Sequence, residues 1–593
     1  MDTNTVINSA EFTIEQKGYL QGLFAGIAHR GLTPFVGHTA AGLITCDPTS
    51  GFPNQATVEE EEFWFSTPLS DLCKEERWKH EQNPLAIWDK LLQYSNRNQP
   101  PTEEDRFRMK YFGLFHVAPT QDSFMLRLRI PGGILTTHQL KGLAQMAEDW
   151  GSGRADLTTR SNLQIRELAP TNIIRVLNRI QALGMTSRGS GADNIRNITA
   201  SPITGLDPQE LIDVAPLAEA LQNYISNSND MYELPRKFNV AFDNGGAISV
   251  VADTNDIGFI AVEVNEGRSI PPGIYFRVLL CGITGHRQFA TDCGLLLRSD
   301  ETVAVAAAMI RVFTQHGDRT DRKKARLKYL IDRWGVDRFL SETEKLLAFP
   351  LIRIAASECE PRRSIDRDGH IGVHPQSQSG LHYIGVSIPV GRLPVEQMRA
   401  IAEIADRFGS GELRLTVWQN LLIPNIATVH IEAVKQKLTA AGLDYKAGTV
   451  LSGSVACTGN QGCRFSATDT KTHAVTLANM LDGRFKIEQP VNLHVTGCHH
   501  SCAQHYIGDI GLLGVKVSGE EGYQVLIGGG ADQDQGLARE LLPAIRFSDL
   551  PEKIYGLFTA YTQHRQLNES FLHFTRRHTI AELQSFCNQQ ENA

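Results

Sequence analysis

Four of the ten cysteines crowd into one span. Cys457 and Cys463 are separated by five residues, and Cys498 and Cys502 by three. Thiolates at such spacings hold metals. A zinc ribbon normally uses a two- to four-residue knuckle in both halves, and the five-residue spacer breaks that pattern. A [4Fe–4S] cube needs four thiolates and tolerates varied spacing. From the cysteines alone a cluster, a zinc site and plain buried thiols all stay open. Gly453, Gly459, Gly462 and Gly497 would let backbone approach a bulky inorganic group. His499, His500 and His505 lie beside the second pair and read as surface or supporting groups, since four thiolates already complete a cube. The six remaining cysteines are scattered singly, as buried small hydrophobes are in a reducing compartment.

A second candidate for chemistry is cationic. "SFMLRLRI" and "ADLTTRSNLQIRE" alternate with period two. Read as one strand, the latter puts Thr158, Arg160, Asn162, Gln164 and Arg166 on one face and Leu157, Leu163 and Ile165 on the other. Arg188 and Arg196 follow in a Gly- and Asn-rich stretch, then Arg236 and Lys237 in "YELPRKFNVAF". A solvated sheet face would look the same. The alternative is a cradle for something large and anionic.

The elements that would carry these groups repeat. Residues 130–165, "IPGGILTTHQLKGLAQMAEDWGSGRADLTTRSNLQI", align without a gap on residues 388–423, "IPVGRLPVEQMRAIAEIADRFGSGELRLTVWQNLLI". Each copy reads strand, helix, strand, with Leu140, Leu143, Ala144 and Ala147 on one helical face and Gly151 stopping the first helix. A spacing of 258 residues is too long for a solenoid, so it implies two half-molecules related by a pseudo-two-fold. The copies differ where charge matters: Arg127 becomes Gly385, Arg160 becomes Trp418, Gln164 becomes Leu422 and Arg166 becomes Pro424. Solvation alone gives no reason for that difference, which favours a binding face in the first copy.

The bulk numbers exclude other classes. With 41% hydrophobic and 21% charged residues in 593, the chain is globular and has several domains. A net charge of −8 marks no nucleic-acid or membrane binder, and no apolar run reaches the roughly 18 residues of a membrane span. The N-terminus has no secretory or transit pattern, so a cytoplasmic location is expected. Residues 319–335 read as a basic helix, either a solvated face or a dock for an acidic partner. "LIGGGADQDQG" fails the dinucleotide-loop spacing, so reducing power is expected from a separate protein.

Together, the cysteine pattern, the repeated "IPGG"/"IPVG" half-domain, "TTRSNLQIR", "DNIRN" and "LPRKFN" resemble the siroheme-dependent nitrite/sulfite reductases over about residues 85–570. The resemblance implies a mixed α/β (α+β) fold, with a pseudo-two-fold repeat of ferredoxin-like half-domains and two siroheme- and Fe–S-binding lobes. The expected divisions are an N-terminal extension (1–100), a first half-domain (101–170), a first siroheme lobe (171–350), a second half-domain (366–431), a cluster lobe (440–575) and a tail (576–593).

It further implies that Cys457, Cys463, Cys498 and Cys502 bind a [4Fe–4S] cluster, with Cys502 also on the siroheme iron. Arg160, Asn162 and Gln164 would meet siroheme, and Arg127, Arg196, Lys237 and Asn239 the substrate. Lys237-Phe238-Asn239, where sulfite reductases of the family carry a second lysine, points to nitrite. So do Phe115 and Gly191, where some sulfite reductases form a Tyr–Cys cross-link. The expected function is six-electron reduction of nitrite to ammonium in nitrate assimilation, by a monomer fed by ferredoxin. Sulfite reduction, a precorrin-3B synthase-like oxygenase and a non-catalytic metal-bound interaction protein are the competing readings.

Overall fold

The repeated helices form because their apolar residues recur every three to four positions and their starts are capped. In a computed structural model, which describes residues 62–117, 121–487 and 489–588, the helix Thr137–Trp150 opens on a capping box between Thr136 and Gln139. It buries Leu140, Leu143, Ala144 and Ala147 against Met398, Ile401, Ala402 and Ala405 of its counterpart Val395–Phe408. Each buried leucine adds about 1.5–3 kcal/mol relative to exposure. The ion pairs Lys141–Asp406 and Arg399–Glu148 cross the same seam.

The half-domains also exchange strands. Ile134–Thr136 of the first copy pairs antiparallel with Glu412–Leu415 in the sheet of the second. Arg392–Pro394 of the second pairs with Arg154–Thr158 in the sheet of the first. Each five-stranded sheet therefore closes with its partner's edge strand, and both halves share one core.

Two further five-stranded sheets build the lobes. One comprises strands Thr199–Ala200, Val240–Asp243, Ile257–Val264, Gly273–Leu280 and Thr291–Leu297, with a core running from Ile195 to Leu340. The other comprises Ser454–Ala456, Leu493–Thr496, Ile510–Val517, Glu520–Ile527 and Arg539–Arg546. The segment read as a C-terminal tail supplies the helix Ile580–Cys587, whose Leu583 and Cys587 are buried in this lobe's core.

Three expectations need correction. The stretch "NRNQPPTEED" (96–105), which reads as a linker in sequence, is a short turn between the helices Trp88–Arg97 and Glu103–Met109, the second capped by Thr102. The stretch 154–168 is a hairpin, not one strand. Thr158 pairs with Asn162, and Ser161 at φ +47° makes the turn. The basic stretch 319–335 is helical only over Leu327–Trp334, and its Arg319 and Arg326 are buried. Of the N-terminal extension, residues 1–61 lie outside the described residues, as do 589–593 of the tail. The remainder of the extension packs on the lobe that carries the strands from Thr199–Ala200 to Thr291–Leu297, through buried ion pairs described below. Among the described residues, no helix is long and apolar enough to cross a membrane.

Candidate redox centre

The strands Ser454–Ala456 and Leu493–Thr496 are parallel neighbours, with Ala456 beside Val495. Their chains leave the same end of the sheet, which sets Cys457 beside the Gly497–Cys498 turn. The Gly497 N–H donates to Cys457 Sγ at 3.3 Å, and Thr470 Oγ1 lies 3.6 Å from the same sulfur. A Cβ on Gly497 would stand 1.7 Å from Ser466 Oγ, so only glycine fits. Burial, and after it the nearby Cys502, Cys463 and Cys457, push the Cys498 thiol up to about 12. The four sulfurs thus gather at one site. Four thiols beside close-packed backbone fit a [4Fe–4S] cluster, whose irons take thiolate ligands.

Arg166 fastens this loop to the first half-domain. It donates to Asp156 (2.9 Å), Gln164 Oε1 (2.9 Å) and Thr458 Oγ1 (2.6 Å). Lys471 Nζ lies 3.1 Å from Asp156 on the other side. Burial alone would raise the Asp156 carboxyl; Lys471 and Arg166 instead hold it far below the usual carboxylate range.

The cations come from three places. Arg127 ends the strand Ser123–Arg127 and pairs in register with Gln164. Arg160 sits on the hairpin tip, where its N–H donates to Thr158 Oγ1 and its guanidinium to Asn255 Oδ1 at 3.0 Å. Arg196 and Lys237 lie on two loops laced together: Arg196 N–H donates to Phe238 O (2.7 Å) and Phe238 N–H to Asn194 O (3.1 Å).

Each of these side chains, with Cys502, is deep enough in protein to be strongly desolvated, yet each keeps surface that a water-sized sphere can reach. Cys502 acts on Arg127, Arg160 and Lys237, and Arg127 on Arg196, so the five groups surround one recess. Burial pulls Arg127 and Arg160 down to about 10, so both stay charged at neutral pH. Burial, then Arg326, Arg196 and Arg236, bring Lys237 down to about 7, against the opposing pull of Cys502.

None of the four cations has a carboxylate partner among the described residues. Arg127 lies 4.5 Å over the Phe115 ring, Arg160 meets an amide, Arg196 donates to the carbonyls of Ser190 and Ala192, and Lys237 has no hydrogen bond. Four half-buried, desolvated cations with no carboxylate partner cost free energy unless an anion fills the space between them. A carboxylate-rich macrocycle and a small anion fit that demand.

The loop carrying Lys237 is itself clamped by the arm that precedes the repeat. Glu76, fully buried, pairs with Lys79 and Arg319. Lys79 donates to Leu234 O and Arg319 to Glu233 O, both at 2.8 Å. Asp193 takes both guanidinium nitrogens of Arg322, at 2.7 and 2.8 Å. Arg326 holds Asp256 at 2.7 Å, and Asp256 accepts the Asn239 N–H at 2.8 Å. Arg319, Arg322 and Arg326 of the basic stretch are therefore engaged in internal ion pairs, whereas Lys323, Lys324 and Arg333 remain exposed.

The structure gathers Arg127, Arg160, Arg196, Lys237 and Cys502 around one space. Asn162 does not face it: its amide donates to Leu128 O and accepts from Leu163 N–H. Gln164 is buried against Arg166. Asn239 is buried, with Oδ1 unpaired among the described residues. A Cβ on Gly191 would lie 2.6 Å from Phe115 Cζ, so those two positions touch. His499 and His500 are exposed, while His505 is buried and pushed by that burial to about 3. Sequence reasoning missed Thr159, whose hydroxyl donates to Cys502 O at 3.1 Å, and Asn255. Thr159 adjoins Arg160 in the quoted motif. Glu76, alone in a distant helix, gave no signal.

Residues 191–351 and 447–590 match the family described as the nitrite and sulphite reductase 4Fe-4S domain. Residues 116–183 and 374–441 match the nitrite/sulfite reductase ferredoxin-like half domain, offset by the same 258 residues as the repeat. The ferredoxin–nitrite reductase of Synechococcus elongatus is 35% identical over 82% of this chain and 96% of its own length. That of Leptolyngbya laminosa is 36% identical over 78% of this chain and 91% of its own. The solved NirA protein of Mycobacterium tuberculosis superposes with a TM-score of 0.79 at 26% identity, covering 86% of this chain and 97% of that one.

Proposed function

The chain belongs to the nitrite and sulphite reductase family, and on that premise we propose that it reduces nitrite to ammonium with electrons from ferredoxin. The single observation that carries the reading is the cavity over Cys502, where Arg127, Arg160, Arg196 and Lys237 lack carboxylate partners among the described residues.

In this reading Cys457, Cys463, Cys498 and Cys502 would hold a [4Fe–4S] cluster, Cys502 would also bind a siroheme, Arg160 would meet its carboxylates, and Gln164 would support that wall through Arg166. When bound, that pair of groups supplies six electrons singly to the substrate nitrogen. The protein's own part is electrostatic and protonic. Arg127, Arg196 and Lys237 draw in the monoanion and stabilise negative charge on its oxygens as the N–O bonds break. Both arginines keep their protons. Lys237, brought to about 7 by burial and neighbouring arginines, can donate one and be recharged through water. Eight protons in all accompany the six electrons, giving one ammonium and two waters.

Two features favour nitrite over sulfite. Position 239 is a neutral amide, which adds no further cation for a dianion. Position 191 is glycine against Phe115, which leaves no thiol for a cross-link. The family's four pocket cations are all in place, which disfavours an oxygenase built on this scaffold. The cytoplasmic location and the monomeric state expected from the sequence belong to the same proposal. Methyl viologen-driven turnover tests it: nitrite is consumed with ammonium formed one for one, and faster than sulfite gives sulfide. Faster sulfide formation would overturn the substrate assignment, and no turnover of either would overturn the reaction.

A further inference from the structure

We propose that His286, hydrogen-bonded to Tyr329 at the rim of the cationic recess, takes protons from bulk water and passes them to the water that recharges Lys237. The proposal rests on the reductase reading, in which protons must enter the recess throughout every turnover.

The loop that carries His286 is held on two sides. It is the short turn Thr284–His286, closed where Ile283 and Gln288 bond to each other's backbone at 2.8 and 3.3 Å. On one side His286 Nδ1 lies 2.7 Å from Tyr329 Oη, on the helix Leu327–Trp334. On the other, a Cβ on Gly285 would stand 3.3 Å from Ser501 Cβ, next to Cys502 in the chain, and Arg287 donates to Tyr506 Oη at 3.2 Å. The turn thus bridges the helix and the cysteine loop, and Lys237 acts on the His286 ring from the recess. His500 feels His286, Lys237 and Arg236 together, which places all four groups at one opening.

The chemistry fits that position. Lys237 is half-buried and has no hydrogen bond, so a proton it gives up must be replaced through water. His286 is exposed, and its Nε2 has no hydrogen bond among the described residues. Imidazole is the side chain that exchanges protons most readily near neutral pH. Burial, then Arg326, Lys237, Arg236 and Lys328, hold its pKa below the usual histidine value. Arg326 is paired with Asp256, and Lys328 with Asp332 at 2.6 Å. The resting ring is therefore neutral and can accept a proton, and once Lys237 has discharged, one of the charges opposing an imidazolium is gone. One N–H bond forms at Nε2 and one breaks as the proton moves on to recess water; no electron moves.

The test uses the holoenzyme with saturating methyl viologen, from about pH 6 to 9. His286→Ala should keep the siroheme absorbance and a nitrite KM within about two-fold of wild type, while kcat falls about ten-fold, more steeply as pH rises and protons become scarce. His286→Gln can keep the bond to Tyr329 but carries no proton, and should lose as much. Added imidazole should restore at least about half of the lost kcat in His286→Ala, measured against wild type at the same concentration. Wild-type kcat in both variants across the pH range would overturn the relay. So would wild-type turnover in His286→Gln beside a loss in His286→Ala, or a loss that imidazole leaves unchanged. A wild type that reduces neither nitrite nor sulfite would instead sink the reductase reading beneath it.

Discussion

The first half-domain leaves a hole where the second is filled. At the hairpin tip, Arg160 reaches into the cavity, whereas Trp418 packs beside Val250, Val251, Val417 and Ile507 and stacks on His370 at 5.9 Å. On the sheet, Gln164 is replaced by Leu422, which is buried with Ile203, Leu206, Ile248 and Tyr383. Arg127 is replaced by Gly385, where a Cβ would stand 2.3 Å from the His370 carbonyl oxygen. Even the buried charge changes task. Asp156 fastens Arg166 and Lys471 beneath the cysteine loop, while Arg414 is satisfied by Glu412 and the carbonyls of Pro202 and Thr204. One scaffold thus serves twice. Where its face is apolar it builds core, and where it is cationic it gathers charges that have no carboxylate partner among the described residues.

Breaking this asymmetry should have graded consequences. The largest effect is expected from Cys502→Ser, which removes the thiolate facing the cavity: siroheme absorbance and turnover should both vanish, as read by the visible spectrum and a viologen assay. Next is Arg127→Gly, which copies the second half into the first; kcat/KM for nitrite should fall about 10²- to 10³-fold with the siroheme band retained. The reverse exchange, Gly385→Arg, finds no room and should destabilise the fold by on the order of 3 kcal/mol, visible as a lower thermal midpoint. Glu76→Gln loosens the clamp behind the Lys237 loop. Nitrite KM should rise roughly ten-fold while the spectrum is unchanged, and Glu76→Asp should recover part of it. The smallest effect is expected from Asn239→Lys, a shift of the sulfite-to-nitrite turnover ratio toward sulfite; an unchanged ratio would mean position 239 does not select the substrate.

Much of this was legible because the signals were local. The repeat, its helices and the four cysteines follow from spacing within short windows, and the loss of Arg127 and Arg160 in the second copy is visible by aligning the chain on itself. What failed was context. Alternation on either side of residues 158–162 hid the turn at Ser161, since the five polar residues between contain no Gly or Pro to mark a reversal. Asn162 looked like a cofactor contact because it is polar beside Arg160, but two backbone groups use up its amide. The arginines of 319–326 looked solvent-facing because their partners Glu76, Asp193 and Asp256 lie far away in sequence. Long-range charge pairing leaves no periodic trace.

Iron and acid-labile sulfide analysis of the purified, fully loaded protein, read beside its visible spectrum, bears most directly on the sulfur atom of Cys502. A shared thiolate under the arginines requires about five iron and four sulfide per chain together with a Soret band. Zinc at the thiols, with no coloured macrocycle, would contradict it.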